Sequence, residues 1–254
     1  MGWDYREQLD LVTGVPGSYV PVAPPAAKES KPVVLVDMDN TVVDWDATFI
    51  RRFAQATDQT EAAVSAVVRS RKHFEMEENF SPEEGVVALR VIKEEGFYRH
   101  LTPLPGAVAA LKAMVDEDIA EVRIVTSPHP TCPGSCAAEK YAFLLEHFGE
   151  DWIDRMTITR DKTSVKGDYL VDDKPEVTGK SKAEWTHILF DQSYNKEVAN
   201  RERIQTWEGH RWRDVLNLPA APMAPATEVI AEKSPAAKVT PEVGGVPLLS
   251  SQLL

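Results

Sequence analysis

Short apolar runs rich in β-branched residues recur along the chain, each bounded by polar or turn-forming residues. Five such runs stand out: 33–36 (VVLV), 122–125 (VRIV), 156–159 (MTIT), 169–171 (YLV) and 187–190 (HILF). Their lengths and flanks predict buried strands. Helical patterns at 107–115 and 136–148 separate several of them, and the second ends at Gly149, a natural helix C-cap. This alternation predicts an α/β fold with a doubly wound, mostly parallel sheet covered on both faces.

The stretch 47–100 breaks the alternation. It carries helical patterns, such as 60–72 and 81–95, and no convincing strand. We therefore expect a small helical cap inserted after the first strand. The predicted catalytic core then consists of residues 31–46 and 101–216.

Both ends of the chain differ from this middle part. Residues 1–30 contain four prolines with scattered glycine and alanine, which predicts an arm without regular structure. Residues 217–254 are rich in proline and alanine, and no aromatic residue follows Trp212. Such a segment has little apolar surface to offset its ordering entropy, so we expect a disordered tail.

Composition narrows the class of partner and the compartment. The 254 residues carry a formal charge of −12, which disfavours binding to nucleic acid polymers or anionic membranes. Two cysteines make a disulfide framework improbable and a reducing compartment the default. The first residues lack a secretory pattern, and no apolar run reaches the ~18 residues of a membrane span. We expect a cytoplasmic protein; the oligomeric state stays open, with a homodimer as the assembly to test.

Chemistry-bearing side chains follow four of the predicted strands. They are Asp37 and Asp39, Thr126 and Ser127, Lys162, and Asp172 and Asp173. Any single acid at such a place could instead cap the next helix. In an open α/β sheet, however, ligands bind outside the carboxyl ends of the strands, and four ends with this chemistry point to a site.

The charge of these residues indicates the kind of ligand. Converging carboxylates repel one another and raise each other's pKa unless a cation compensates. Carboxyl and carbonyl oxygens suit Mg²⁺, which commonly bridges to substrate phosphate. A lysine and two hydroxyls beside such an ion would face phosphoryl oxygens, which predicts phosphoryl transfer.

Four segments resemble, in order, the motifs of the haloacid dehalogenase superfamily of phosphatases: 37–41 (DMDNT), 126–128 (TSP), 159–162 (TRDK) and 167–173 (GDYLVDD). The resemblance is closer to the 5′(3′)-deoxyribonucleotidases, of cytosolic and mitochondrial type. It extends to PLPGAVAAL (103–111), EKYAFLLEHFG (139–149), LVDDKPEVTG (170–179) and WTHILFDQSYN (185–195), and covers about residues 31–215. It implies a haloacid dehalogenase-like Rossmannoid core and hydrolysis of (deoxy)ribonucleoside monophosphates, with pyrimidine deoxynucleotides favoured.

The resemblance also implies roles for individual residues. Asp37 would be the nucleophile that forms an aspartyl-phosphate, and Asp39 the acid that protonates the leaving oxygen and later activates water. Asp37, the backbone carbonyl of Asp39 and one acid of the Asp172–Asp173 pair would hold Mg²⁺, with Asp173 favoured. The phosphoryl group would be bound by Thr126, Ser127 and Lys162.

The cap residues are expected to contact the base of the nucleotide. Trp45 matches an aromatic position of the nucleotidases, and Phe74 and Tyr98 fall near two others; packing in the core is the alternative for each. Glu75 stands where an apolar or aromatic residue is usual, which leaves the base preference open. Asn40 replaces a usual glycine, and asparagine tolerates the left-handed backbone that this turn needs.

Three further questions remain at this stage. Cys132 and Cys136 lie in a CPGSC segment that we interpret as a loop, and a structural zinc there would lack its four ligands. Lys140 is either structural or a phosphate ligand.

Two other functions compete with the nucleotidase: a phosphatase of the same superfamily for another small phosphate, such as a sugar phosphate, and a non-catalytic binding or scaffold protein.

Overall fold

The computed structural model describes residues 30–220, and their centre is a six-stranded parallel sheet in the order β5-β4-β1-β6-β7-β8. Its strands are β1 (Val33–Val36), β4 (Glu121–Thr126), β5 (Met156–Ile158), β6 (Tyr169–Asp172), β7 (Thr186–Phe190) and β8 (Arg203–Ile204). A separate antiparallel pair joins β2 (Val43–Asp44) to β3 (Thr102–Pro103). The fold class predicted from the sequence is confirmed. Residues 1–29 of the predicted N-terminal arm and residues 221–254 of the predicted C-terminal tail lie outside the described residues.

The central strand β1 is buried on both faces. Val34 and Val36 pack into the larger apolar cluster on one face of the sheet, whereas Leu35 packs with Val125 and Leu170 on the other. This alternation is the two-residue period of a strand, and burial on both faces explains why the run contains no polar residue.

Within the described residues, six α-helices flank the sheet or lie between β2 and β3. They are α1 (Trp45–Thr57), α2 (Glu61–Arg69), α3 (Pro82–Ile92), α4 (Ala107–Asp116), α5 (Pro133–Phe148) and α6 (Arg211–Val215). Helix α1 begins where the Asp44 carboxylate accepts the backbone N–H of Ala47, and α3 begins with a reciprocal capping box between Ser81 and Glu84. The first three helices form the cap that the stretch 47–100 predicts.

The structure corrects the interpretation of the CPGSC segment. Helix α5 begins at Pro133, a position where proline is favoured because its missing N–H costs nothing. Cys136 is therefore helical and fully buried, and Cys132 is the residue that precedes the helix. The segment is the start of a helix and not a loop. No helix within residues 30–220 is long and apolar enough to cross a bilayer.

Candidate active site

The carboxyl ends of β1 and β6 bring three aspartates together. In the register of the sheet, Val36 lies opposite Val171, and the backbone N–H of Asp37 donates to the Val171 carbonyl at 2.9 Å. Asp37 therefore lies beside Asp172 and Asp173, and all three are buried. One carboxylate oxygen of each lies within 4.8 Å of the others.

These three side chains fit a hard divalent cation. The donor set consists entirely of carboxylate oxygens, which is the chemistry that Mg²⁺ prefers. Burial raises the pKa of Asp173 well above its usual value, and the Asp172 and Asp37 carboxylates raise it further. A bound cation would reverse that effect, because it would favour the charged form of each acid.

Lys162 lies between two of these acids. Its Nζ is 2.5 Å from Asp37 Oδ1 and 2.5 Å from Asp172 Oδ2. Burial opposes the charged form of the amine, but the Asp172 and Asp37 carboxylates outweigh it and raise the pKa of Lys162. Asp161 fixes the turn that presents this lysine, since its carboxylate accepts the backbone N–H groups of Thr163 and Lys180 at 3.1 Å and 3.0 Å.

The two acids of the Asp172–Asp173 pair have different partners. Asp172 accepts from the Lys162 ammonium and, at 2.9 Å, from the backbone N–H of Lys174. Among residues 30–220, the Asp173 carboxylate accepts from two neutral hydroxyls, those of Thr41 and Tyr194. Asp172 is therefore paired with a cation of the protein, whereas the Asp173 carboxylate faces no ammonium or guanidinium among these partners.

Lys140, which the sequence left undecided, belongs to the site. It is 0 % exposed, and its Nζ donates to Asp39 Oδ2 at 2.7 Å, to Thr126 Oγ1 at 2.8 Å and to the Ser127 carbonyl at 2.9 Å. Burial raises the pKa of Asp39, and Lys140 acts in the opposite direction. The other oxygen of Asp39, Oδ1, is buried and has no hydrogen-bond partner within residues 30–220.

The two hydroxyl residues after β4 differ in their placement. Thr126 is fully buried, and its hydroxyl contacts Lys140. Ser127 lines the cavity above the aspartates, and its hydroxyl donates to the Thr159 carbonyl at 2.9 Å. Asn40 adopts φ +52°, the left-handed backbone expected for this turn.

A cavity of about 320 Å³ opens above Asp37 and Asp39. Trp45 and Phe74 both line it. Trp45 is largely buried and stacks on Phe49 at 5.4 Å, whereas Phe74 is 50 % exposed and has Lys174 Nζ 4.7 Å from its ring centroid. The structure does not bring Tyr98 to this cavity: it is 2 % exposed and packs edge-on against Phe97.

Several ionisable residues that the sequence does not mark as ligands also line the cavity. They are Arg71, Glu75, His129, Arg160 and Lys174. Arg160 and Lys174 are neighbours in sequence of predicted site residues, so their positions in the chain could have indicated them. Arg71 belongs to the cap and carries no comparable signal.

Comparisons with known proteins identify the family of the chain. A family model described as "5′ nucleotidase, deoxy (Pyrimidine), cytosolic type C protein" matches residues 31–216. A putative 5′(3′)-deoxyribonucleotidase of Bordetella pertussis is 35% identical over 184 residues, which are 72% of this chain and 95% of that protein. The mitochondrial 5′(3′)-deoxyribonucleotidase of Homo sapiens is 34% identical over 192 residues, or 72% of this chain and 82% of that protein.

The fold also recurs among solved structures. A haloacid dehalogenase family hydrolase from Deinococcus radiodurans superimposes with a TM-score of 0.50 at 11% identity, over 75% of this chain and 99% of that one. At that identity the likeness concerns the fold alone.

Proposed function

The chain belongs to the family of deoxy (pyrimidine) 5′ nucleotidases of cytosolic type C. From that premise we propose that it is a Mg²⁺-dependent phosphatase that hydrolyses (deoxy)ribonucleoside monophosphates to nucleoside and phosphate. Pyrimidine deoxynucleotides are its preferred substrates in this proposal. The observation that supports this most is the buried triad of Asp37, Asp172 and Asp173 with Lys162 between two of its members, at the floor of a cavity lined by aromatic side chains.

The metal ion would be held by Asp37, Asp173 and the backbone carbonyl of Asp39. Asp172 serves a different purpose in this proposal: it holds Lys162 in place through their 2.5 Å contact. Bound Mg²⁺ would supply positive charge to the phosphoryl oxygens and to the Asp37 carboxylate.

Asp37 is the nucleophile in this scheme. Its carboxylate attacks phosphorus, the bond from phosphorus to the ribose oxygen breaks, and an aspartyl-phosphate forms on Asp37. Lys162 neutralises charge on Asp37 and on the phosphoryl group. The Ser127 hydroxyl, which lines the cavity, would turn from the Thr159 carbonyl to donate to a phosphoryl oxygen. Thr126 acts indirectly in this scheme, since its hydroxyl contacts the Lys140 ammonium that holds Asp39.

Asp39 acts as acid and then as base. Burial raises its pKa, so that it can carry the proton that the departing ribose oxygen needs. In the second step it takes a proton from the water that attacks the phosphorus of the aspartyl-phosphate. The bond from phosphorus to the Asp37 oxygen breaks, which releases phosphate and restores both acids. Lys140 fixes the carboxylate through Oδ2 and leaves Oδ1 free for these transfers.

The cavity supports a nucleotide as the small-molecule substrate. A volume of about 320 Å³ suits a small ligand, and Trp45 and Phe74 offer flat surfaces to a base. The negative charge of the chain and the cytosolic type of the matched family support a cytoplasmic enzyme that acts on free nucleotides and on neither nucleic acid polymers nor membranes.

A substrate panel tests the proposal. The kcat/KM for phosphate release should be measured with Mg²⁺ for the deoxy- and ribonucleoside monophosphates, as 5′ and as 3′ esters, and for sugar phosphates of similar charge. The proposal predicts that dUMP and dTMP exceed every sugar phosphate by at least about tenfold. Equal rates with sugar phosphates would refute it.

One observation favours the competing substrate class. Glu75 lines the cavity near its aromatic residues, and a carboxylate there can accept hydrogen bonds from the hydroxyls of a sugar. The sugar-phosphate arm of the panel measures that alternative directly. A Glu75→Ala variant, which removes the acceptor, would then lose activity toward sugar phosphates and retain it toward nucleotides.

A further inference from the structure

Tyr194 connects the proposed metal site to a second group of side chains. Its hydroxyl donates to Asp173 Oδ2 and accepts from Asn40 Nδ2 at 3.2 Å. The other carboxylate oxygen of Asp173 accepts from Thr41 Oγ1 at 3.4 Å. Tyr194 is thus the partner of one of the two oxygens that Asp173 can offer to a cation.

Arg71, a residue of the cap, contacts the aromatic ring of Tyr194. Its guanidinium carbon lies 3.7 Å from the centroid of the Tyr194 ring, within the range of a cation–π contact. Its Nη1 donates to Asp46 Oδ2 at 2.6 Å, and its side chain is 4 % exposed. Arg71 also lines the cavity, so it contacts the core and faces the space for substrate.

Asn40 and Asp46 close the group into a ring of contacts. Asn40 Nδ2 donates to Asp46 Oδ1 at 2.8 Å, and the Asp46 backbone N–H donates to Asn40 Oδ1 at 3.1 Å. The contacts therefore run from Arg71 through Asp46 and Asn40 to Tyr194, and also directly from Arg71 to Tyr194.

We propose that Tyr194 is a positioning residue that orients Asp173 for the metal ion, and that Arg71 keeps Tyr194 in place. This inference rests on the proposed function in one respect, that Asp173 is a metal ligand. Three carboxylates in one buried cluster repel one another, and this repulsion favours side-chain rotation that moves them apart. A hydrogen-bond donor on each carboxylate limits that rotation. The Tyr194 hydroxyl can hold Asp173 in this way without neutralising its charge, whereas the Lys162 ammonium neutralises Asp172.

The test is Mg²⁺ binding measured by calorimetry on the full chain without substrate. Loss of an outer partner of a metal ligand commonly reduces affinity by about 10- to 100-fold, and we expect that loss for Tyr194→Phe. The phenylalanine ring preserves the contact with Arg71, so the variant removes only the hydroxyl. Tyr141→Phe, which changes an exposed tyrosine of α5, is the matched control and should bind Mg²⁺ as the wild type does.

Arg71→Gln provides a second variant. It should weaken Mg²⁺ binding in the wild-type background and add little in the Tyr194→Phe background, because it acts through the same hydroxyl. The Mg²⁺ concentration for half-maximal phosphate release should rise in parallel with the Kd in each variant.

The outcomes separate this inference from the proposed function. If the wild type binds Mg²⁺ and Tyr194→Phe binds it within twofold as tightly, the positioning role is refuted and the proposed function stands. If the wild type binds no Mg²⁺, the metal dependence of the proposed function fails, and the inference fails with it.

Discussion

Replacement of Lys140 by methionine is the most informative single perturbation of the site, because this lysine is fully buried and has three hydrogen-bond partners. Methionine has a similar length and fills the same space without a charge. Lys140→Met leaves Asp39 beside the cavity without its cation, and leaves two buried acceptors, Thr126 Oγ1 and the Ser127 carbonyl, without that donor.

The magnitude follows from these contacts. Removal of one partner of a buried ion pair costs about 3–5 kcal/mol, and the lower value applies here because Asp39 is partly exposed and can take up a proton. A loss of about 3 kcal/mol in a domain of this size lowers Tm by about 6–12 °C. The pKa of Asp39 rises further without the ammonium, so Asp39 keeps the proton of the first step to higher pH and the alkaline limb of the kcat profile moves to higher pH.

Thermal unfolding and the pH dependence of kcat are the assays. Lys166→Met, at a lysine that is 83 % exposed, is the matched control and should unfold like the wild type. The double variant Asp39→Asn with Lys140→Met should recover part of the lost stability, because it removes both charges. A Tm for Lys140→Met within 2 °C of the wild type would refute the reasoning.

Three further predictions concern the metal, the base and a buried histidine. Mg²⁺ at about 100 times its Kd should raise the free energy of unfolding by about 2.7 kcal/mol, and EDTA should reverse the change in Tm; identical melting with and without Mg²⁺ would contradict the site. Phe74→Ala should raise KM for dUMP by roughly tenfold, the value of one base stacked on an aromatic ring, and leave KM for a sugar phosphate unchanged. Burial and the nearby Arg201 lower the pKa of His187 to about 4. The unfolded chain therefore takes up a proton below about pH 6.5 that the folded chain does not, and stability should fall from pH 6.5 toward 4. Between pH 6.5 and 4, the free energy of unfolding of His187→Gln, measured with urea, should fall by about 1–2 kcal/mol less than that of the wild type, a figure that allows for the partial exposure of the ring. Equal decreases in the two proteins would exclude His187 as the cause.

The residues at strand ends could be predicted because a parallel sheet places those ends together. The apolar run of β1 identified the central strand, and its sequence position identified Asp37 and Asp39. The two-residue strand β8 could not be predicted in this way, since Arg203–Ile204 has no periodic pattern and its place depends on pairing with β7. The start of α5 was missed because CPGSC has the composition of a loop, although proline is favoured in the first turn of a helix.

The remaining site residues depend on tertiary contacts. Lys140 meets Asp39 across 101 positions of sequence, from a helix face rather than a strand end. Arg71 reaches Tyr194 from the cap, whose packing no local pattern specifies. For the same reason Tyr98, an aromatic expected at the base, lies against Phe97 in the core.

The initial rate of phosphate release from dUMP with Mg²⁺ tests the central claim most directly, when the wild type is compared with Asp37→Asn and Asp44→Asn. Asp44 lies seven positions after Asp37 in the sequence but caps α1, a role that asparagine also fills. The account predicts turnover by the wild type, a rate lower by about 10³-fold or more for Asp37→Asn, and a nearly unchanged rate for Asp44→Asn. Equal rates for the wild type and Asp37→Asn would contradict it.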